Sequence, residues 1–257
     1  YQLPANLKGD ATLLLLERGT LLQALGDYQS SARDLMISDQ RLDWLDMDPA
    51  LMASIGRYVY SDDSGPYRAP AYERLMLNVI NMVNFMELKD FQGAKVEARR
   101  FQIMESYFLE ETGETLIPEI LALGNYLAGV VFESARDYTM ATRYYSRAWH
   151  FGVRSVPFRK RLVALYQVSG YRGQEIDPSV SGLDAVLSDA NSQGTMTGAA
   201  YRAEYVEGQI VAVVQSGFVP YKHPERIPIG AAIVLASHHP RHFSSSQQAR
   251  ANELMVS

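Results

Sequence analysis

The chain has 257 residues, 47% apolar and 21% charged, a composition that builds a packed core and excludes a disordered tail or a collagen-like rod. Basic residues number 24 against 29 acidic ones, and the resulting formal charge of −5 argues against a dedicated nucleic-acid binder. With no cysteine, disulfides, thiolate zinc sites and thiol catalysis are excluded, and no apolar run approaches the ~20 residues of a membrane-spanning helix.

Residues 1–10 read as a lead-in, with Pro4 and Gly9. From Ala11 apolar residues recur at helical spacing, and Gly26-Asp27 breaks the run into two helices. Leu13 to Leu16 point to all sides of the first helix, which predicts cover on both its faces. The stretch YSDDSGPYRAP is a loop by composition. A second helical pair follows with its break at Lys89-Asp90, and a third with its break at Arg136-Asp137. Pro157 opens a further helix that runs to Gly170. Residues 173–198 are rich in Gly, Ser, Asp and Asn and read as a loop with one short helix near Leu183–Leu187. GQIVAVVQSG and IPIGAAIVLAS are strand candidates, so a small sheet or hairpin is expected near the C-terminal end.

The three breaks superimpose. Gly26-Asp27-Tyr28, Lys89-Asp90-Phe91 and Arg136-Asp137-Tyr138 share one form, an Asp followed by an aromatic. Three residues on come Ser31, Ala94 and Ala141, then Leu35, Ala98 and Tyr145, then Ser38, Phe101 and Ala148. Eight residues before each Asp stand Gly19 and Gly129, with Met82 departing from the pattern. Small residues at matched places let two antiparallel helices approach closely, and the aromatic fills the space beside their turn. This pattern resembles the tetratricopeptide repeat. Tyr28, Phe91 and Tyr138 are unevenly spaced and further apart than the ~34 residues of a regular array, so the units are degenerate repeats with insertions.

At the level of whole segments the chain also resembles an uncharacterised family of bacterial tetratricopeptide-containing envelope lipoproteins. The resemblance rests on LLLLERGTLLQALGDYQSSARDL, YERLMLNVINMVNFMELKDFQGAKVEARRF, NYLAGVVFESARDYTMATRYYSRAW and GQIVAVVQSGFVPYKHPERIPI, in that order, over about residues 11–230. Its more specific parts are the VEARR box at Val96–Arg100 and SGFVPYK at Ser216–Lys222. It implies a periplasmic or envelope location, with a lipid anchor outside the given sequence as the one route to a membrane. It offers no catalytic residues to carry over.

Mapping the groove-facing positions of each unit's first helix gives Thr20 and Gln23 beside Leu13 and Leu16, then Val79, Val83 and Met86 beside Met76, then Tyr126, Val130 and Glu133 beside Leu123. The set is mostly apolar, so the groove is expected to hold either the protein's own C-terminal segment or an apolar element of a partner. Glu97 and Arg100 sit at i, i+3, the spacing of a surface ion pair, with Arg99 and Arg100 as alternative anchors for a partner carboxylate. Tyr144 and Arg143 fall off the core stripe of their helix and are expected at a contact surface. Asn78, Asn81 and Asn84 step by three along an apolar helix and read as internal polar ties. His238, His239 and His242 are the weak metal candidates, with a solvent-exposed loop as the ordinary reading.

The expectation is a mainly α protein of degenerate tetratricopeptide-like hairpins in a right-handed superhelix, with a small C-terminal β-containing segment. Its parts are a lead-in at 1–10, the helical domain at 11–171, a linker with a short helix at 172–200, and a β-hairpin segment and tail at 201–257. The expected function is a non-enzymatic scaffold or assembly factor of the bacterial cell envelope that binds protein partners or itself, without nucleic acid and without a cofactor. The alternatives are a structural subunit of an envelope ring or filament, and a metal-binding module using the His cluster.

Overall fold

In a computed structural model the chain is described over residues 11–47, 67, 69–109, 116–171, 182–207 and 211–214. It divides into two units, residues 1–44 with 67–210 and residues 45–66 with 211–257. The first unit is mainly helical. Its helices are α1 (Ala11–Ala24), α2 (Tyr28–Met47, whose last turn belongs to the second unit), α3 (Ala71–Glu87), α4 (Phe91–Tyr107), α5 (Pro118–Ser134), α6 (Tyr138–His150), α7 (Val156–Ser169), α8 (Asp184–Ser192) and α9 (Gly198–Tyr201). A π-helical turn, Arg202–Val206, continues α9.

Each of the three expected breaks is one compact turn. Gly26, Lys89 and Arg136 take the left-handed conformation, with φ of 81°, 58° and 61°. The amide of the following Asp then reaches back to the helix just ended, Asp27 to Leu22, Asp90 to Phe85 and Asp137 to Phe132, at 2.8–2.9 Å. The same Asp caps the next helix, its Oδ1 accepting from Ser30, Gly93 and Met140 amides at 3.1, 3.0 and 3.2 Å. One residue thus satisfies orphan backbone groups of two helices.

The small residues work in pairs with large ones. A Cβ on Gly19 would lie 2.8 Å from Leu35, and one on Gly129 would lie 2.3 Å from the Tyr145 ring. In the second hairpin the sizes are exchanged: the equivalent positions hold Met82 and Ala98, both fully buried. The departure at Met82 is therefore a compensated one. Between hairpins, Gly124 of α5 receives the ring of Phe101 from α4, only 2.0 Å from where a Cβ would stand. α5 packs against both α3 and α4, and α7 and α8 continue the stack beyond α6.

The core runs from Ala71 to Tyr201. Its centre is aromatic: Tyr126, Tyr145, Trp149 and Phe158 meet with ring centroids 5.3–6.3 Å apart. A smaller cluster of Leu35, Leu42 and Leu77 joins the first hairpin to α3. Polar ties add to it. Ser31 Oγ donates to Gly19 O at 2.7 Å and accepts from Asn84 Nδ2 at 2.8 Å, and Gln23 Nε2 donates to Ile80 O at 3.3 Å. Asn84 also donates to Asn81, while Asn78 turns back on its own helix at Arg74 O.

Within the stretch placed in the sequence as a linker, the described residues from 182 onward contribute to the core. The short helix is α8, whose Val186 and Ala190, with Leu183 just before it, are buried against the same core. Of the expected β segment, Val211–Val214 is described and exposed, with no strand among the described residues. Its remainder, with SGFVPYK and the second strand candidate, lies outside the described residues.

Candidate functional site

The positions mapped as a groove are largely filled. Val79 and Val130 are core residues, and Val83, Met86 and Tyr126 are partly buried against the core. Gln23 is buried, and Thr20 is exposed with its hydroxyl turned back to Leu16 O at 2.9 Å. The carboxyl of Glu133 is only 3% exposed, which removes it from the surface where a partner would meet it. Tyr145 donates to its Oε2 at 2.7 Å, and Tyr201 donates to its Oε1 from 68 residues along the chain. Arg161 stands 3.6 Å from Oε2 and donates to Tyr205 O at 2.7 Å. Burial first, and the neighbouring Glu133 second, push the phenols of Tyr145 and Tyr201 well above their ordinary range, so both stay donors. Tyr201 also packs edge-on to Tyr138 and stacks on Tyr205, with centroids 5.2 Å apart in each case. The chain's own segment from Gly198 to Val206 thus closes this end of the first-helix face.

Two expectations for the second helices change. Tyr144 is fully buried, stacked on Phe132 at 5.2 Å with its hydroxyl directed to Ala98 O at 3.3 Å, and so offers no contact surface. The helix is covered on two sides, by its own hairpin and by neighbouring ones, so its core stripe is wider than one hairpin requires. Glu97 is buried as well, where a surface ion pair with Arg100 was expected. Arg100 instead bonds Asp39 of α2 and ties the first hairpin to the second. Burial, with Asp39 adding to it and Arg100 opposing, raises the Glu97 carboxyl to about 7. Its Oε2 has no hydrogen-bond partner among the described residues.

Arg99 does lie at the surface, its guanidinium 5.6 Å from the centre of the Phe132 ring. It is among the residues that line an open groove of about 560 Å³ between α4 and α6. Arg99, Gln102, Ile103, Ser106 and Tyr107 line it from α4, at successive turns of one helix face, and Met140 and Arg143 face them from α6. Ile103 is 67% exposed and Tyr107 39%. Sequence reasoning reached Arg99 and Arg143 and missed Ile103, Tyr107 and Met140. The signal was present: Val96, Ile103 and Tyr107 are large apolar residues off the buried stripe of Ala94, Ala98, Phe101 and Glu105.

Among the described residues, no group of three or more His, Asp or Glu side chains converges on a point, and no helix is long and apolar enough to cross a membrane. His238, His239 and His242 lie outside the described residues. Comparison with protein-family models, with curated proteins and with solved structures found no match for this chain.

Proposed function

We propose that this protein is a non-enzymatic protein–protein interaction module, a scaffold or assembly factor of the bacterial cell envelope. We read its hairpins as degenerate tetratricopeptide-like units in a right-handed array; the doubly bonded Asp turns and the matched small and large residues support that reading. The envelope location rests on the family resemblance of the segments from 11 to 230.

One observation carries the functional reading: the α4/α6 groove exposes Ile103 and Tyr107 beside Arg99 and Arg143. Large apolar and aromatic side chains next to guanidinium groups are the composition of protein-binding surfaces, where Arg, Tyr and Met are enriched. The first-helix face near Glu133 is occupied by the chain's own Tyr201, which directs attention to the second-helix face.

The test is cross-linking from native bacterial envelopes with the full chain as bait, run beside Ile103→Asp. A specific partner captured by the wild type and lost in the variant supports the module. A partner profile identical in both, or none above a control protein, refutes docking through this groove.

A further inference from the structure

We infer that Gly198–Val206 is an autoinhibitory strap: it occupies, within its own chain, a site on the first-helix face that takes a helical turn of a partner protein with a tyrosine at its centre. This goes beyond the reading above and does not depend on the α4/α6 groove.

The strap is held as a bound peptide is held. Within it Tyr201 alone is buried, while Tyr205 and Val206 pack partly against the core. Ala199, Ala200, Ala203 and Glu204 are exposed. Its backbone bonds are local, from Tyr201 N to Thr197 O at 2.9 Å and from Glu207 N to Arg202 O at 2.8 Å. Among the described residues, two hydrogen bonds join it to the helices beneath: Tyr201 donates to Glu133 of α5, and Arg161 of α7 donates to Tyr205 O at 2.7 Å. The stretch leading into it exposes Gln193, Gly194, Thr195 and Thr197, and Gly194 takes a φ of 81°. The turn Arg202–Val206 is π-helical, a geometry found mostly at functional places. One aromatic plug with a hydrogen-bonding tip, few other bonds and an exposed lead-in are the anatomy of a docked segment with a single hot spot.

The site states what can replace the plug. Glu133 is buried, and its Oε2 is already served by Tyr145 at 2.7 Å, so an occupant must donate to Oε1. A phenylalanine would leave that oxygen unpaired, and a carboxylate would repel it. An ammonium would enter beside Arg161, which stands 3.6 Å from the same carboxyl. A phenol meets the need, and its ring lies edge-on to Tyr138 at 5.2 Å. The second aromatic, four residues on, stacks on the first at 5.2 Å, as a helical turn allows. Three residues before the plug stands Gly198, where a Cβ would lie 3.3 Å from the Tyr138 ring. The partner segment is therefore a helical turn of the form Gly-x-x-Tyr-x-x-x-Tyr.

Occlusion lowers apparent affinity by the fraction of time the strap is away, so weakening the strap should reveal the site. The probe is a fluorescein-labelled peptide of residues 195–207, and its control has Phe in place of the first Tyr. Anisotropy with the full chain is expected to show Tyr201→Ala binding the tyrosine peptide at least tenfold tighter than wild type, and the Phe peptide binding at least fivefold weaker than the tyrosine one. Equal binding to wild type and variant, equal binding of the two peptides, or no binding to a variant that keeps its helical circular dichroism overturns the inference. Hydrogen exchange of the wild type tests it without any variant. Amides 198–206 are expected to exchange at least a hundredfold faster than amides 162–166 of α7, and equal protection would make the strap a part of the core. Cross-linking from native envelopes with Tyr201→Ala as bait is expected to capture a protein that wild type misses and that the tyrosine peptide displaces. No such gain, or capture of a second copy of this chain alone, removes the partner. The outcome with Ile103→Asp concerns the α4/α6 groove alone, so the two readings fail separately.

Discussion

The exchange of sizes between hairpins can be forced in the laboratory. Gly19 and Leu35 of the first hairpin occupy the places held by Met82 and Ala98 in the second. Leu35 is 1% exposed, so Leu35→Ala should cost about 2–5 kcal/mol in lost transfer energy and cavity. Gly19→Met drives a Cβ to within 2.8 Å of both Leu35 Cγ and Cδ2. Overpacking of that kind costs about 1–3 kcal/mol, offset by about 1 kcal/mol of helix propensity gained over glycine. In the double variant the methionine enters the space the leucine vacates, as Met82 does beside Ala98. The pair should then cost only about 1–2 kcal/mol, which at the middle of these ranges is a favourable coupling of about 3 kcal/mol. Urea denaturation followed by circular dichroism of the wild type, both single variants and the double variant gives the cycle directly. Losses that add to within about 0.5 kcal/mol would show that the two positions do not share one packing site, and the matched-pair account of the hairpins would fall.

Glu97, raised from an ordinary 4.5 to about 7, makes stability pH-dependent. A carboxyl raised on folding contributes stability that is complete below the unfolded value and is lost as pH rises through 7, about 3 kcal/mol in all; Glu97→Gln should flatten the urea midpoint between pH 4.5 and 8, and parallel profiles would contradict this. Lys89 and Arg136 hold left-handed backbone without being glycine, so Lys89→Gly and Arg136→Gly should each raise stability by about 0.5–1 kcal/mol, whereas Gly26→Ala, with open space around its Cβ, should lower it by about 1 kcal/mol in thermal melts. Tyr201→Phe leaves Glu133 one donor short, and amides from Gly198 to Val206 should exchange with solvent roughly tenfold faster; unchanged protection would mean the Tyr201 bond does not hold the segment.

What the sequence disclosed and what it hid divide by distance along the chain. The Asp-aromatic turns were readable because every bond in them spans at most five residues, and the Asp side chain, the left-handed residue before it and the aromatic after it are local necessities. The Gly19 and Gly129 pairings were half readable: the small member showed, its large partner did not, because Leu35 and Tyr145 look like ordinary core residues. Tyr144 was misplaced because the periodicity of one amphipathic helix assumes one covered face, and α6 is covered by more than one hairpin. The tie between Glu133 and Tyr201 has no local signature at all. A tyrosine in a Gly- and Ser-rich stretch and an acid at a helix end become partners only once α7 and α8 bring the chain back.

That return has a consequence for where partners can bind. A ligand entering beside Glu133 must first displace Tyr201. The buried carboxyl would then lose a donor, at about 1–3 kcal/mol, and the fully buried phenol would return to water, at about 1.5–3 kcal/mol. Together these weaken an otherwise adequate ligand by roughly 10²–10⁴ in Kd. The α4/α6 groove carries no such cost, because Ile103 and Tyr107 on its α4 wall are already exposed. Binding there gains the burial of Ile103 and Tyr107 outright. Given equal contact area, the second-helix face is the stronger binder, and the buried Glu133 is better understood as the lock that keeps the first-helix face shut.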